Sequence, residues 1–468
     1  MIYYKREIVD EFTPLAIYKK LEEFYPNEKL QLLESAINNN DGNFSYILVG
    51  SIEEIYAKEG KTYHVSQEGQ KELSDGVFSY LKKRFDGIDF ASYKNISSDL
   101  GIDFVDGFVG FIGYDVVKEF EPTLKSKMDG LIDETNTPDI HLIRPKIIVA
   151  YSHKNSTLTL ITPKESVHKE FDRVLREIRS TYKHLPIRKC KPVDEGGYII
   201  DKERFMELVD EAKEMIRSGD IFQILISNRF KQKIDIDPFS FYRVLKSKNP
   251  SPYMYYLNYG EYQIVGSSPE VMVRLEDGDI LLRPIAGTRK RGKTISEDIA
   301  LEEELLSDAK ERAEHLMLVD LGRNDVGRVA MPSSVKVNDL MHVELYSHVM
   351  HIVSDVVGKL DPKYDMFDLF ASVFTAGTMT GAPKIRAMEL IAEFEGIKRG
   401  FYSGSIGYFG FNGNVNTAIT IRTALIKEGE IILQAGAGIV ADSIPEMEYK
   451  EVENKLRALH SSIDDLCE

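Results

Sequence analysis

The hydrophobic and polar positions of the chain follow two different patterns. In the first half, short apolar runs between polar, glycine-bearing turns predict strands at 44–51, 107–114, 140–152 and 156–163. In the second half, helical spacing predicts helices at 202–217, 297–316, 383–396 and 446–460. Apolar runs between them predict strands at 221–230, 262–275, 279–285, 404–411, 416–426 and 430–435. Short turns between neighbouring strands favour antiparallel hairpins, so the pattern predicts an α+β fold.

A polar stretch divides these two patterns. It covers 184–198, HLPIRKCKPVDEGGY, and follows a charged helical stretch at 164–183. Its prolines and glycines are typical of a connection between elements, and a new helix begins near Asp201. We therefore predict two regions, 1–190 and 191–468, that meet at this stretch.

Composition and charge exclude several classes of protein. The chain has 468 residues and a net charge of −16, without a stripe of Lys and Arg interleaved with aromatic residues, so nucleic acid is not an expected partner. It lacks an apolar run of the roughly 20 residues that cross a bilayer. Its acidic N-terminus differs from a signal peptide, so we expect a cytoplasmic protein. Cys190 and Cys467 lie outside any paired spacing, so we expect both thiols to be reduced.

Two segments imitate nucleotide-binding motifs. Residues 287–294, GTRKRGKT, satisfy the phosphate-loop pattern of nucleotide hydrolases. Such a loop requires a helix that opens directly from the Gly-Lys pair, whereas Ser296 and Glu297 indicate a later helix start. Residues 436–441, GAGIVA, resemble a dinucleotide fingerprint but lack the second parallel strand that this fold requires. A nucleotide hydrolase therefore remains an alternative with little support.

Two predicted helices carry pairs of carboxylates with a spacing of three residues. The pairs are Glu311 with Glu314, and Glu448 with Glu451. Because residues at i and i+3 share a helix face, each pair can converge on one point and bind a hard cation such as Mg²⁺. Either pair alone is equally typical of the solvated face of a helix in an acidic protein.

Two basic side chains lie in apolar surroundings. His351 belongs to the segment YSHVMHIVSDVVG, where a structural histidine is the more common case. Arg422 lies within TAITIRTALI, where an unpaired cation would cost several kcal/mol. It must therefore find an anionic or carbonyl partner, either in the protein or in a ligand.

Several long segments, in order, resemble the chorismate-utilising enzymes. They are PIAGTRKRG (284–292), ERAEHLMLVDLGRNDVGRV (311–329), SHVMHIVSDVVG (347–358), FTAGTMTGAPKIRAMELI (374–391), GSIGYF (404–409), AITIRTAL (418–425) and QAGAGIVADSIPEMEYKEVENKL (434–456). The family includes anthranilate, aminodeoxychorismate, isochorismate and salicylate synthases. The resemblance implies two antiparallel sheets packed as a sandwich around the active site, with helices outside.

The same resemblance assigns roles to individual residues. It implies Mg²⁺ ligation by Glu314 and Glu451, with Glu311 and Glu448 as neighbouring members of the acidic faces. It implies His351 as the active-site histidine. The implied contacts to chorismate are Gly287, Thr288, Tyr408, Arg422, Gly436, Ala437 and Gly438.

Three positions distinguish between the reactions of the family. By this resemblance, Gln223 lies at the position where the water-adding members of the family carry a lysine base. A neutral amide cannot take a proton. Ammonia has a free lone pair, so this position favours an amine-transferring member. Glu270 matches the general acid that protonates the departing hydroxyl, and Ala286 has no group that could form a covalent intermediate. We expect the anthranilate-forming branch, with aminodeoxychorismate formation for p-aminobenzoate as the alternative.

Two further segments resemble the inhibitor-binding elements of tryptophan-regulated family members. They are the segment LLES, which ends at Ser35, and the triplet Pro252, Tyr253 and Met254. They imply a pocket for L-tryptophan as a feedback inhibitor, although packing of a helix and a strand would also explain them. The chain lacks a glutaminase cysteine motif, so a separate glutamine amidotransferase subunit is implied as the ammonia source. A tryptophan-sensing module without turnover is a further alternative.

Overall fold

The structure is a computed structural model that describes residues 1–35, 43–181, 185–346 and 349–467. Its helices in these ranges are α1 (Pro14–Phe24), α2 (Val77–Asp86), α3 (Phe90–Leu100), α4 (Val117–Phe120), α5 (Lys125–Met128), α6 (Glu165–His168), α7 (Phe171–Ile178), α8 (Lys202–Arg217), α9 (Pro238–Lys248), α10 (Ile295–Ser307), α11 (Ala309–Gly327), α12 (Met366–Val373), α13 (Lys384–Glu395) and α14 (Pro445–Cys467). None of these described helices is long and apolar enough to cross a membrane.

The strands of the described ranges alternate with these helices. They are β1 (Tyr3–Ile8), β2 (Leu30–Glu34), β3 (Phe44–Lys58), β4 (Lys61–Ser66), β5 (Gly69–Leu73), β6 (Gly107–Ile112), β7 (Ile140–Ser152), β8 (Thr157–Thr162), β9 (Lys191–Pro192), β10 (Gly197–Tyr198), β11 (Gln223–Asp235), β12 (Tyr253–Asn258), β13 (Tyr262–Ser268), β14 (Val271–Glu276), β15 (Asp279–Leu282), β16 (Ile285–Lys290), β17 (Lys336–Leu345), β18 (Val349–Lys359), β19 (Gly381–Ala382), β20 (Ser405–Gly410), β21 (Val415–Ile419), β22 (Thr423–Lys427) and β23 (Glu430–Ile439).

Two antiparallel sheets meet at the long strands β3 and β7, which pair with each other. One sheet runs from β3 through β2, β12, β13, β22 and β23 to β11. The other runs from β7 through β6, β20, β21, β14 and β15 to β18. Helices α8, α9, α13 and α14 pack against the first sheet, and α11 packs against the second. The predicted α+β fold with two antiparallel sheets is confirmed, and the sheets are joined by hydrogen bonds rather than separate.

The two predicted regions, 1–190 and 191–468, share these sheets. In the first sheet Glu34 of β2 faces Met254 of β12, and in the second Val109 of β6 faces Tyr408 of β20. Buried side chains of both regions form one hydrophobic core. The regulatory and catalytic assignment of the regions remains a prediction, but neither region supplies a complete sheet.

Three predicted elements are interrupted in the structure. The expected strand 262–275 breaks between Ser268 and Val271, and the expected strand 416–426 breaks between Ile419 and Thr423. The expected helix 297–316 belongs to α10 and α11, because Asp308 accepts hydrogen bonds from the amides of residues 310 and 311 and starts a second helix. Both strand breaks lie at residues with predicted roles.

The expectation for the cysteines was wrong. Cys190 and Cys467 form a disulfide that joins the segment before β9 to the last turn of α14. They are separated by 277 positions in the sequence, so no local spacing indicates the pairing. The bond therefore ties the last residue of the first predicted region to the last helix of the second.

Candidate active site

The two strand breaks place Glu270 and Arg422 in one cleft. Their backbones are connected across neighbouring strands: the Ile419 amide donates to the Glu270 carbonyl at 3.0 Å, and the Ser267 amide donates to the Arg422 carbonyl at 3.1 Å. Arg422 has a positive φ of 50°, which few residues with a side chain adopt. Because both residues lie outside the regular strands, their side chains do not follow the alternation of the sheets.

Glu270 is a buried carboxyl group that is protonated at neutral pH. Its residue is 7% exposed, and burial raises its pKa to about 8. The Thr378 hydroxyl donates to Glu270 Oε1 at 3.0 Å, and this bond and the charges of Arg422 and Lys455 oppose the shift. Since burial is the largest influence, Glu270 holds a proton that it can donate.

His351 lies in β18 opposite Thr288 of β16 and is neutral. Burial and the nearby Arg422 lower its pKa to about 4. Its Nδ1 lies 3.1 Å from the Gly287 carbonyl oxygen and 3.0 Å from Thr288 Oγ1. A carbonyl can only accept, so we assign the proton to Nδ1, which leaves Nε2 as an acceptor.

Arg422 is a cation without an anionic partner among the described residues. Within 1–35, 43–181, 185–346 and 349–467, no side chain forms an ion pair or hydrogen bond with its guanidinium. Burial lowers its pKa, and electrostatic interactions with Tyr346 and Glu270 oppose this effect. A partly buried guanidinium in this state can receive a ligand carboxylate with two parallel hydrogen bonds.

Carboxylates of α11 and α14 face one another beside Gln223. The Gln223 amide nitrogen donates to Glu314 Oε1 at 3.0 Å, and its amide oxygen is buried without a described partner. Burial raises the pKa of Glu314, and repulsion from Glu311 and Glu451 adds to the shift. Burial and Glu451 also raise the pKa of Glu448. A divalent cation would relieve this repulsion, so the donors fit Mg²⁺.

Two of the predicted acidic residues already have cationic partners. Glu311 pairs with Arg289 at 2.9 Å, and Glu451 pairs with Lys455 at 2.8 Å. In the described part of the chain, no group of three His, Cys, Asp or Glu residues is arranged to hold a metal ion. Magnesium binding by Glu314 and Glu451 therefore remains a prediction.

The predicted glycines of β23 allow close contact with β11. A Cβ atom on Gly436 would lie 2.6 Å from the Leu225 side chain, and one on Gly438 would lie 3.0 Å from the Gln223 amide nitrogen. Between them, Ala437 is buried and faces Ile226. The Lys455 ammonium donates to the Gly436 carbonyl at 2.9 Å. The two glycines therefore let β23 pack closely against the Leu225 and Gln223 side chains of β11.

The predicted inhibitor residues line a separate cavity of about 530 Å³. Ser35, Pro252, Tyr253 and Met254 all border it, whereas Glu270, His351 and Arg422 do not. Tyr408 borders the same cavity, where its ring stacks on Phe104 with centroids 4.7 Å apart. The structure thus groups Tyr408 with the inhibitor residues and not with the predicted chorismate contacts.

Comparison with known proteins identifies the family. Residues 34–461 match the family described as chorismate binding enzyme. The chain belongs to the chorismate-binding enzyme family. Anthranilate synthase component 1 of Aquifex aeolicus is 42% identical over 483 residues, covering 98% of this chain and 94% of the relative. The protein of the same name from Acetivibrio thermocellus is 39% identical over 480 residues, with the same coverage.

Solved structures agree with this membership. Anthranilate synthase component I of Streptococcus pneumoniae TIGR4 superposes with a TM-score of 0.80 and 34% identity, covering 97% of this chain and 99% of that one. The menaquinone-specific isochorismate synthase of Escherichia coli has a TM-score of 0.72 at 18% identity, covering 99% of this chain and 95% of that one. The second likeness supports only the fold. The resemblance to chorismate-utilising enzymes is confirmed.

Residues 287–294, which match the phosphate-loop pattern, cannot bind a phosphate in this structure. The Gly292 amide donates to Asp298 at 2.7 Å, and the Lys293 amide donates to Glu297 at 2.6 Å. Helix α10 begins only at Ile295, after its N-cap Thr294. The amides that would bind a phosphate are therefore occupied by carboxylates, and the hydrolase alternative has no structural support.

Three side chains of the site were not predicted individually. Thr378 lies in the turn GTMTG of the resembling segment 374–391, to which the resemblance assigned no individual role. The ring of Tyr346 meets that of His351 edge-on, with centroids 5.4 Å apart. Lys455 contributes positive charge near both Glu270 and His351.

Proposed function

We propose that the chain is the large, chorismate-binding subunit of an anthranilate synthase. The observation that carries this proposal is that a protonated Glu270 lies close to Arg422, whose guanidinium has no ion pair among the residues that the structure describes. Chorismate offers two carboxylates and a ring hydroxyl that must leave, so this acid and this cation match its chemistry. The names of the most similar relatives support the same assignment.

The first step joins ammonia to the ring and removes the hydroxyl. Arg422 pairs with a carboxylate of chorismate and fixes its orientation. As the nitrogen lone pair forms a bond to the ring carbon, the two conjugated ring double bonds shift and the hydroxyl departs as water with the proton of Glu270. The resulting Glu270 carboxylate is stabilised by Arg422 and Lys455. The ammonium group that forms then loses one proton, which can restore the acid form of Glu270. Gln223 cannot act as a base, and ammonia does not require one.

The second step eliminates the side chain. The bond between the ring carbon and the ether oxygen breaks, and the released enolpyruvate takes a proton on its methylene carbon to become pyruvate. Loss of a ring proton gives the aromatic product anthranilate. The neutral His351 has an Nε2 lone pair in the same cleft and is our candidate acceptor for that proton. Ala286 has no nucleophile, so the sequence of steps contains no covalent intermediate with the enzyme at this position.

Magnesium completes the proposed site. Glu314 and Glu451 would hold the ion, with Glu448 close to Glu451. When bound, the ion would neutralise these carboxylates and anchor a carboxylate of the substrate. The Gln223 amide oxygen, which has no hydrogen-bond partner among the described residues, and the raised pKa values of Glu314 and Glu448 support a cation at this position.

We further propose that the cavity of about 530 Å³ binds L-tryptophan as a feedback inhibitor. Its volume lies within the range of about 300–1,000 Å³ that is usual for small-molecule sites. Tyr253 and Met254 offer apolar surface, and the cavity extends to Tyr346, which contacts His351. A ligand that binds one arrangement of this boundary better than another would change activity in the cleft.

The proposed partner is a glutamine amidotransferase subunit that supplies ammonia, and the proposed compartment is the cytoplasm. The name component 1 of the relatives is consistent with a second subunit. Free ammonium at high concentration should replace this partner in a test.

The deciding experiment incubates the purified chain with chorismate, Mg²⁺ and ammonium. We expect a fluorescent product and pyruvate in equal amounts, and loss of both when Mg²⁺ is chelated. Aminodeoxychorismate retains its enolpyruvyl group, so amination without pyruvate would favour the alternative activity. Absence of any chorismate consumption would refute the proposed function.

A further inference from the structure

A buried ion pair lies behind the candidate cleft, between Glu395 at the end of α13 and Arg399. Their side chains are 2% and 1% exposed. Arg399 Nε donates to Glu395 Oε2 at 2.9 Å, and Nη2 donates to Oε1 at 2.7 Å. The pair is therefore bidentate, which fixes the plane of the guanidinium.

The remaining donors of Arg399 connect three separate segments. Nη2 donates to the Leu225 carbonyl of β11 at 2.9 Å, and Nη1 donates to the Met379 carbonyl at 2.8 Å. Nη1 also lies 3.4 Å from the Ser403 hydroxyl. All five N–H groups of Arg399 thus have an acceptor. A single side chain holds β11, the turn at 377–379 and the segment before β20 in register.

Glu395 extends this connection toward β23. Its Oε1 accepts from the Ser227 amide and from the Ser227 hydroxyl, both at 2.8 Å. The same hydroxyl accepts from the Gln434 amide nitrogen at 2.8 Å. Ser227 faces Gly436 across the strand pair. The carboxylate therefore fixes the strands on which Gln223 and Gly436 lie.

Two of the three segments held by Arg399, β11 and the turn at 377–379, carry a residue of the proposed site. Thr378, which donates to Glu270, immediately precedes Met379. Gln223, which donates to Glu314, lies two positions before Leu225 on β11. Neither Glu395 nor Arg399 contacts these site residues directly, so the pair acts only through the backbone.

We propose that the Glu395–Arg399 pair is a positioning element that sets the distance between the Thr378–Glu270 hydrogen bond and the Gln223–Glu314 hydrogen bond. The inference rests on the proposed function, because it concerns the same cleft. Stability alone is a weak explanation of the pair, since hydrophobic residues of similar volume often replace buried ion pairs without loss of stability. Arg399 uses two donors on Glu395 and the other three on three separate segments, which indicates that the pair fixes the geometry of these segments.

The test compares Arg399→Lys with a matched control in the same enzyme. Lysine keeps the charge but loses the planar fork, so it cannot hold Glu395 and two carbonyls together. The control is Arg144→Lys, which breaks a similar bidentate pair with Asp106, where Arg144 donates at 2.9 and 2.7 Å. The partners of Arg144, Asp106 and Glu53, make no contact with the cleft residues.

For Arg399→Lys we expect kcat to fall by about tenfold or more while KM changes less, because the substrate cation Arg422 is untouched. We also expect the alkaline limb of the kcat profile to move up by about half a pH unit, since the Thr378 bond holds the pKa of Glu270 down. Arg422, Lys455 and Tyr346 also face Glu270 and are unchanged in this variant. For Arg144→Lys we expect a lower Tm with an unchanged profile.

The possible results distinguish a positioning role of the pair from a purely stabilising role, and they distinguish failure of either from failure of the proposed function. An Arg399→Lys enzyme whose kcat loss equals its unfolded fraction, with an unchanged pH profile, would overturn the positioning role. If this variant does not fold, Glu395→Gln provides the same test, because it keeps the size of the side chain and weakens the pair. A wild type that does not consume chorismate refutes the proposed function instead.

Discussion

The raised pKa of Glu270 leads to a prediction about the pH dependence of turnover. With a pKa of about 8, roughly 90% of Glu270 is protonated at pH 7, compared with about 0.3% for a carboxyl at its ordinary pKa of 4.5. The structure thus supplies about 300 times more of the acid form. We expect kcat to be constant below about pH 7 and to fall about tenfold for each pH unit well above 8.

Glu270→Gln removes this proton without changing the size of the side chain. We expect kcat for chorismate amination to fall by roughly 100- to 10,000-fold, the usual contribution of a general acid. The assay follows anthranilate fluorescence from pH 5.5 to 9.5 with Mg²⁺ and ammonia held constant. The free ammonia concentration must be held constant at each pH, because ammonium loses its own proton in this range.

Stability provides an independent check on the same carboxyl group. The folded-state pKa of Glu270 lies above its unfolded value, so folded protein binds more protons between about pH 4.5 and 8. Its contribution to stability is present below this window and is lost as the pH rises through it. Glu270→Gln should therefore raise Tm relative to wild type more at pH 9 than at pH 5. An equal Tm difference at both values, together with a flat pH profile, would contradict the raised pKa.

Four further predictions concern the other parts of the molecule. Glu314→Gln or Glu451→Gln should nearly abolish turnover and leave the circular dichroism spectrum unchanged; near-normal activity at moderate Mg²⁺ would reject the metal site. Ala286→Lys should impair turnover by placing a cation beside the substrate, whereas Lys293→Ala should not, and ATP hydrolysis lost with Lys293 would contradict the assigned class. L-Tryptophan should inhibit wild type, and Ser35→Arg or Met254→Thr should raise its inhibitory concentration, the latter by about 5- to 150-fold through lost apolar contact; unchanged inhibition in both would reject the pocket. Reduction of the Cys190–Cys467 disulfide, or Cys467→Ser, should lower stability by up to ~5 kcal/mol for a loop of 277 residues, measured by urea unfolding with and without reductant; identical curves would show that the bond contributes nothing.

The sequence predicted best those elements whose pattern is local. Helix α8 occupies Lys202–Arg217, the predicted range, because Asp201 caps it and its apolar positions repeat with helical spacing. The hairpin of β22 and β23 also follows from its glycine-bearing turn. The disulfide could not be predicted, since it depends on the meeting of two chain segments that share no local signal.

The sequence predicted which carboxylates share a helix face, but it did not predict the partner or the burial of each carboxylate. Spacing placed Glu311 and Glu314 on one helix face, and the structure shows that Glu311 is paired with Arg289 while the half-buried Glu314 accepts a hydrogen bond from Gln223. The difference depends on which strand approaches that face. A periodic pattern contains no information about this approach, so only the tertiary structure distinguishes a metal-ligand candidate from a salt bridge.

The two interrupted strands explain why the sequence pattern did not predict how the side chains of the proposed site are arranged. A regular strand would direct alternate side chains to opposite faces and would pair every amide in its ladder. Glu270 and Arg422 instead occupy breaks, where their carbonyls accept from Ile419 and Ser267 of neighbouring segments. The backbone thus remains satisfied while both side chains are free to enter one cleft. Burial then raises the pKa of Glu270, which keeps its proton at neutral pH, and lowers the pKa of Arg422, which remains a cation that a carboxylate of the proposed substrate can pair with.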